Sequence, residues 1–171
     1  TWLFFPGTLL AAGELVDAVH RDDLTTVRSL LENGASASEC NPYGVTPLAL
    51  ACQNGNAEMA TLLLKAGANH TPPNSEPVII TASRNGDPAC VRVLLDAGAD
   101  PNSTSSKQSA LMWAAAGGHA EVVKILLAAK ADPAPQLGSG FDAFFFAVRA
   151  GHRDAVRQLV AAGIDANGVR S

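Results

Sequence analysis

The sequence predicts an all-α solenoid of stacked helix–turn–helix units joined by short β-hairpin loops. Three landmarks that share one register carry the prediction. An alanine in the first apolar stretch of each unit falls at Ala18, Ala51, Ala82, Ala114 and Ala147, at intervals of 33, 31, 32 and 33 residues. A mid-unit turn falls at Asp22, Gly55, Gly86, Gly118 and Gly151, and a terminal turn at Gly34, Gly67, Gly98, Lys130 and Gly163, with the same four intervals. A fixed period of this length marks a repeat array, in which no unit buries its own apolar face and neighbours supply the core. The units run over about 13–40, 41–72, 73–104, 105–136 and 137–171, behind an apolar segment at 1–12.

Residues 1–12 carry no Lys or Arg and are too few to span a bilayer. They read either as a cover for the first exposed face of the stack or as the remnant of a signal peptide, with Leu10-Ala11-Ala12-Gly13 resembling a cleavage region. The first unit opens "GELVDAVHRDD" and lacks a Thr-Pro start, as an atypical terminal unit acting as a cap would. In the second unit Thr46 caps a helix and Pro47 takes its first position, where the missing N–H costs nothing. Leu48, Ala51 and Cys52 then form an apolar face at helical spacing, and Asn54-Gly55-Asn56 breaks the helix. The second helix of this unit turns Met59, Leu62, Leu63 and Leu64 inward, and Gly67 ends it in a left-handed conformation.

The third unit opens "EPVIITAS" and the fourth "QSALMWAA", so the Thr-Pro is replaced in both. Before the third unit, "NHTPPNSEP" (69–77) is two residues short and Pro-rich, which predicts an irregular hairpin. In the fourth unit Lys130 stands where the others have Gly, which predicts a strained or reshaped turn. The fifth unit opens with the aromatic block "FDAFFFAV".

These units resemble ankyrin repeats. "TPLALA" (46–51) matches the family's Thr-Pro-Leu-His-x-Ala start with Ala49 in place of His, and "GDPACVRVLLDAGADPN" (86–102), "GGHAEVVKILLAAKAD" (117–132) and "GHRDAVRQLVAAGIDAN" (151–167) match its second helix and following loop. The resemblance covers about residues 13 to 167. It implies that His119 and His152, which follow the mid-unit glycine, make local backbone hydrogen bonds. It also implies that partners contact the hairpin tips and the exposed, concave face of the first helices.

Composition narrows the chemistry. Apolar residues make up 47% and charged residues 16%, so the chain can bury a core, and the net charge of −4 gives no reason to expect nucleic acid as a partner. Cys40, Cys52 and Cys90 show no CxxC spacing and read as structural thiols, with Cys40 the most exposed. His20 and His70 have no Cys or carboxylate at ligand spacing, and the glycines recur as turn formers without making a phosphate loop. "STSS" (103–106) reads as a solvated hairpin tip. No enzymatic activity, cofactor or metal site is therefore expected.

What remains is binding to a protein partner. Mapped onto the sequence, the surface that the resemblance implies holds Tyr43, Val45, Gln53, Asn54, Arg84, Asn85, Gln108, Met112, Phe141, Phe145 and Arg149. Trp113 joins them because the aromatics gather in the later units, although it matches Leu50, as does Phe146, at a position more buried than not. Phe144 matches Leu48 and Leu111 and belongs to the core. Aromatic, Met and Arg side chains are the usual anchors of interfaces, so contacts are expected to concentrate on the third to fifth units. The reading is a non-catalytic scaffold or adaptor. The alternatives are an accessory or structural subunit or domain that ties a larger assembly together or is exported, and a regulatory domain of a longer multidomain protein. The last unit carries no polar closing helix, which favours further repeats or a partner over its C-terminal face. The sequence does not set the compartment: it favours a cytoplasmic location, or a periplasmic or secreted one if 1–12 are a signal remnant.

Overall fold

A computed structural model describes residues 11–73, 75–133 and 141–164. Among them ten helices follow one another in pairs: α1 (Ala11–His20) and α2 (Leu24–Glu32), α3 (Pro47–Gln53) and α4 (Ala57–Lys65), α5 (Val78–Asn85) and α6 (Pro88–Asp96), α7 (Ala110–Ala116) and α8 (Ala120–Ala128), α9 (Ala143–Arg149) and α10 (Arg153–Ala161). The first helices α1, α3, α5, α7 and α9 pack in series, and α4, α6, α8 and α10 form a second layer in the same order. Each first helix also packs on the second helix of its own pair. Helix α1 already includes residues 11 and 12 of the apolar N-terminal stretch, while both readings of residues 1–10 lie outside the described residues.

Local chemistry sets most helix starts. The side chains of Asp23, Thr46, Asn56, Asp87, Ser109 and Asp142 each accept a backbone N–H from the first turn of the helix they precede. Hydrogen bonds from the Thr26 hydroxyl and backbone N–H hold the Asp23 carboxyl below its usual range. The five landmark alanines are all 0% exposed, because a larger side chain there would hold adjacent first helices apart.

The second helices end alike. Gly34, Gly67, Gly98 and Gly163 have φ between 88° and 92°, and each donates its N–H to the carbonyl three residues back. The residue after each donates to the carbonyl five back, which completes a Schellman cap. Lys130 does not reshape this turn. It takes φ 67° and makes the same pair of bonds, Lys130 N–H to Leu127 O at 3.0 Å and Ala131 N–H to Leu126 O at 2.9 Å. The left-handed strain therefore stays in the lysine, and Lys130→Gly is expected to stabilise the fold by about 1 kcal/mol. Urea unfolding measures it, and an unchanged midpoint would mean the lysine side chain offsets its own strain.

A two-stranded ladder forms at β1 (Thr104–Ser105) and β2 (Gln108–Ser109), closed by Ser106 and Lys107, both with positive φ. That combination is a type I′ turn, whose twist suits a hairpin. In the Pro-rich loop Val78 N–H bonds His70 O at 3.0 Å and no strand pairing forms among the described residues.

Candidate partner-binding surface

The ends of the first helices define the surface. The last carbonyls of a helix have no donor within it and need one from outside. Here the next unit supplies it. Asn54 Nδ2 donates to Val19 O at 3.1 Å and Asn85 Nδ2 to Gln53 O at 3.1 Å. His119 Nε2 lies 3.1 Å from Arg84 O, and His152 Nε2 lies 3.1 Å from Ala116 O. A carbonyl only accepts, so both rings carry their proton on Nε2.

The histidines thus bond across units, 35 and 36 residues back, where local bonds were expected. At His119 the exchange with asparagine has a steric cause. Asn54 and Asn85 share a register position with Gly117, where a Cβ would stand 2.4 Å from His119 Nε2. Glycine at 117 clears the space, and the imidazole delivers the N–H that an asparagine delivers elsewhere. Asn54 and Asn85 are exposed as predicted, but their amides tie units together.

Between the second and third units lies a groove of about 340 Å³, whose lining includes Val45, Ala49, Gln53, Glu76, Arg84 and Asn85. It gathers Val45, Gln53, Arg84 and Asn85 from the predicted set. Tyr43 stands beside it, 90% exposed, on a hairpin tip fixed by Asn41, whose Oδ1 accepts the N–H groups of Tyr43 and Val45 at 3.0 Å each. Arg84 Nη2 bonds Glu76 Oε1 at 2.6 Å, Thr81 Oγ1 bonds Glu76 Oε2 at 3.2 Å, and the guanidinium lies 4.3 Å from the centre of the Trp113 ring. Trp113 is half-buried, and its Nε1 has no acceptor among the described residues. Sequence reasoning missed Glu76 and Thr81. Glu76 shares the register position of Val45, Gln108 and Phe141, a signal the repeat alignment already held.

Two predicted placements are corrected. Met112 is only 1% exposed, because α7 is packed by α5 on one side and α9 on the other, as Ile80 is covered between α3 and α7. Phe144, assigned to the core, is half-buried, because α9 has a first-helix neighbour among the described residues on one side only. The same one-sidedness leaves Phe145 half-buried, stacked on Phe141 with centroids 4.3 Å apart, while Phe141 is 42% exposed. Val148 is 52% exposed although its register equivalents Val19, Cys52 and Ala115 are 0% exposed. Arg149 is exposed and Gln108 half-buried.

Chemically reactive groups do not converge here. Among the described residues no three His, Cys, Asp or Glu side chains are placed to hold a metal ion. Cys40 is exposed, and Cys52 and Cys90 are buried free thiols. A hydrogen bond with Cys90, reinforced by burial, pushes the Cys52 thiol far up, so it stays protonated and unreactive. No described helix is long and apolar enough to cross a membrane.

A family model described as "Ankyrin repeats (3 copies)" matches residues 15–105 and again residues 79–169. Among curated proteins, the chain is 36% identical over 118 residues to the "Ankyrin repeat, SAM and basic leucine zipper domain-containing protein 1" of Dasypus novemcinctus, covering 65% of this chain and 25% of that protein. It is 35% identical over 116 residues to the protein of that name in Microcebus murinus, covering 64% and 24%. In Nomascus leucogenys the identity is 37% over 108 residues, covering 59% and 23%. The chain thus spans about a quarter of the length of these relatives. Ankyrin repeats are generally protein–protein interaction modules, and these relatives carry theirs within longer multidomain proteins. With both model matches in the register of the Ala, turn and Gly landmarks, the chain belongs to the ankyrin repeat family.

Proposed function

We propose that this chain is a non-catalytic scaffold or adaptor module that holds a protein partner along its hairpin tips and the concave face of its first helices. The observation that carries the reading is the juxtaposition of an exposed tyrosine on a rigid tip, an open groove, and an arginine laid on a tryptophan. Rigid aromatic and arginine side chains lose little freedom on binding and dominate interface energies. A comparable groove of about 350 Å³ lies between α4 and α6, but Thr61, Leu64, Lys65, Val93, Asp96 and Ala97 line it, with no aromatic or arginine anchor. The proposed surface runs from Tyr43 and Val45 through Gln53, Asn54, Arg84, Asn85 and Trp113 to Phe141, Phe145 and Arg149.

The share of the relatives' length that the chain covers favours a module working within a longer multidomain protein. The reading is tested by comparing the chain with its Tyr43→Ala and Phe141→Ala variants in affinity for a partner recovered from the native source, with melting curves alongside. Each variant is expected to lose on the order of 1–2 kcal/mol of binding with little change in melting. Unchanged affinity in both would overturn the placement.

A further inference from the structure

We infer that a further helix pair of the same repeat architecture, carried by the same polypeptide, packs on the α9–α10 face and delivers a side-chain N–H to the Arg149 carbonyl. The inference concerns the end of the stack and stands apart from the concave surface. Both helices of the fifth unit lack cover that their equivalents have. On α9, Val148 is 52% exposed where Val19, Cys52, Ser83 and Ala115 in the same register are 0% exposed. On α10, Val156 is half-buried where Val27, Ala60, Val91 and Val123 are all 0% exposed. What sets the fifth unit apart is that no pair follows it among the described residues. The hydrogen bonds of the same face tell the same story. The carbonyls of Gln53, Arg84 and Ala116 each take a side-chain nitrogen from the following unit at 3.1 Å, from Asn85, His119 and His152. Arg149 O holds their register position and receives no donor among the described residues.

Continuity with the existing interfaces identifies the occupant. From α1 to α9 each first helix packs on the next, and α4, α6, α8 and α10 do the same in the second layer. The α9–α10 face therefore offers the apolar positions and the free carbonyl that a following unit has filled at each earlier step. A repeat unit matches both helices and the acceptor at once, in one register. Residues 165–171 are too few to make such a pair, which in the fifth unit runs from Ala143 to Ala161. The relatives, of which the chain covers about a quarter, have room for another unit outside the matched part. The period then sets the chemistry of the added pair. A small residue falls about 33 residues after Ala147, where it lets the new first helix approach α9. An Asn falls about 33 residues after Ala150, or a His about 33 residues after His152, in the registers of Asn85 and His119.

The test begins with mass-spectrometric peptide mapping of the polypeptide from its native source, which reads the residues that follow Ser171. The small residue and one of the two donors are expected at those positions. The full polypeptide is then compared with the 171-residue chain. Hydrogen exchange in α9 and α10 should be about tenfold slower or more in the full polypeptide. Val148→Asp should lower the urea midpoint of the full polypeptide by about 1 M and shift that of the 171-residue chain far less. If the full-length variant fails to fold, the exchange comparison of the unsubstituted proteins decides. A polypeptide that ends at Ser171, or one with no donor at either position, overturns the inference. So does equal exchange of α9 and α10 in the two forms. A 171-residue chain that sediments as a dimer, dispersed by Val148→Asp, overturns it as well, because a second copy would then be the cover.

Discussion

Gly86→Ala is expected to cost far more than one added methyl group ordinarily does. Gly86 closes α5 with φ 80°, a conformation costing an L residue about 1–2 kcal/mol. In addition, a Cβ there would stand 2.2 Å from His119 Nδ1 and 2.5 Å from its Cγ, far inside van der Waals contact with the ring. The imidazole must then leave the Arg84 carbonyl, forfeiting about another 0.5–1.5 kcal/mol and leaving that helix end unsatisfied. Gly67 is the internal control, with φ 88° and nothing within 4 Å of its would-be Cβ. Urea unfolding should therefore show Gly67→Ala losing about 1–2 kcal/mol and Gly86→Ala about 3 kcal/mol. In a His119→Ala background, which removes the ring, Gly86→Ala should fall to the Gly67→Ala value. Equal losses for the two glycine changes in the native background would show that His119 relocates without penalty.

Leu94→Ala is expected to be the largest single loss, about 2–5 kcal/mol. Leu94 is 0% exposed on α6, which packs between α4 and α8, so the cavity opens in the middle of the stack where neither neighbour can collapse into it. Its register equivalents Leu63 and Leu126 are equally buried, and Leu63→Ala should behave alike. Thermal and urea unfolding measure both, and a loss below about half a kcal/mol would mean the inward face of the second helices has been misassigned.

These two changes also mark how much the sequence could disclose. Positions fixed by contacts within one unit were legible. Thr46 caps α3 through Ala49 N–H, Gly67 ends α4, and Leu48, Ala51 and Cys52 share one buried face. Even Lys130 was marked as an anomaly, although its outcome was a retained turn with the strain held in place. What the sequence did not disclose depends on how one unit sits on the next. Whether Met112 or Phe145 is covered depends on α9 following α7, and the His119 ring finds its acceptor 35 residues back. The candidate site was legible in the same proportion. Tyr43 and Arg84 were readable from exposure in register, but the Arg84–Trp113 stack and the Glu76 clasp join residues on different elements. Local periodicity carries no information about such pairings.

Hydrogen–deuterium exchange of this chain, free and bound to a partner recovered from its native source, tests the central claim most directly. The account predicts that bound partner slows exchange in the hairpins around Tyr43 and Glu76 and near the ends of α3, α5 and α9, leaving α4, α6 and α8 unchanged. Protection confined to α4, α6 and α8, with the Tyr43 hairpin and the Arg84 region exchanging as in the free chain, would contradict it.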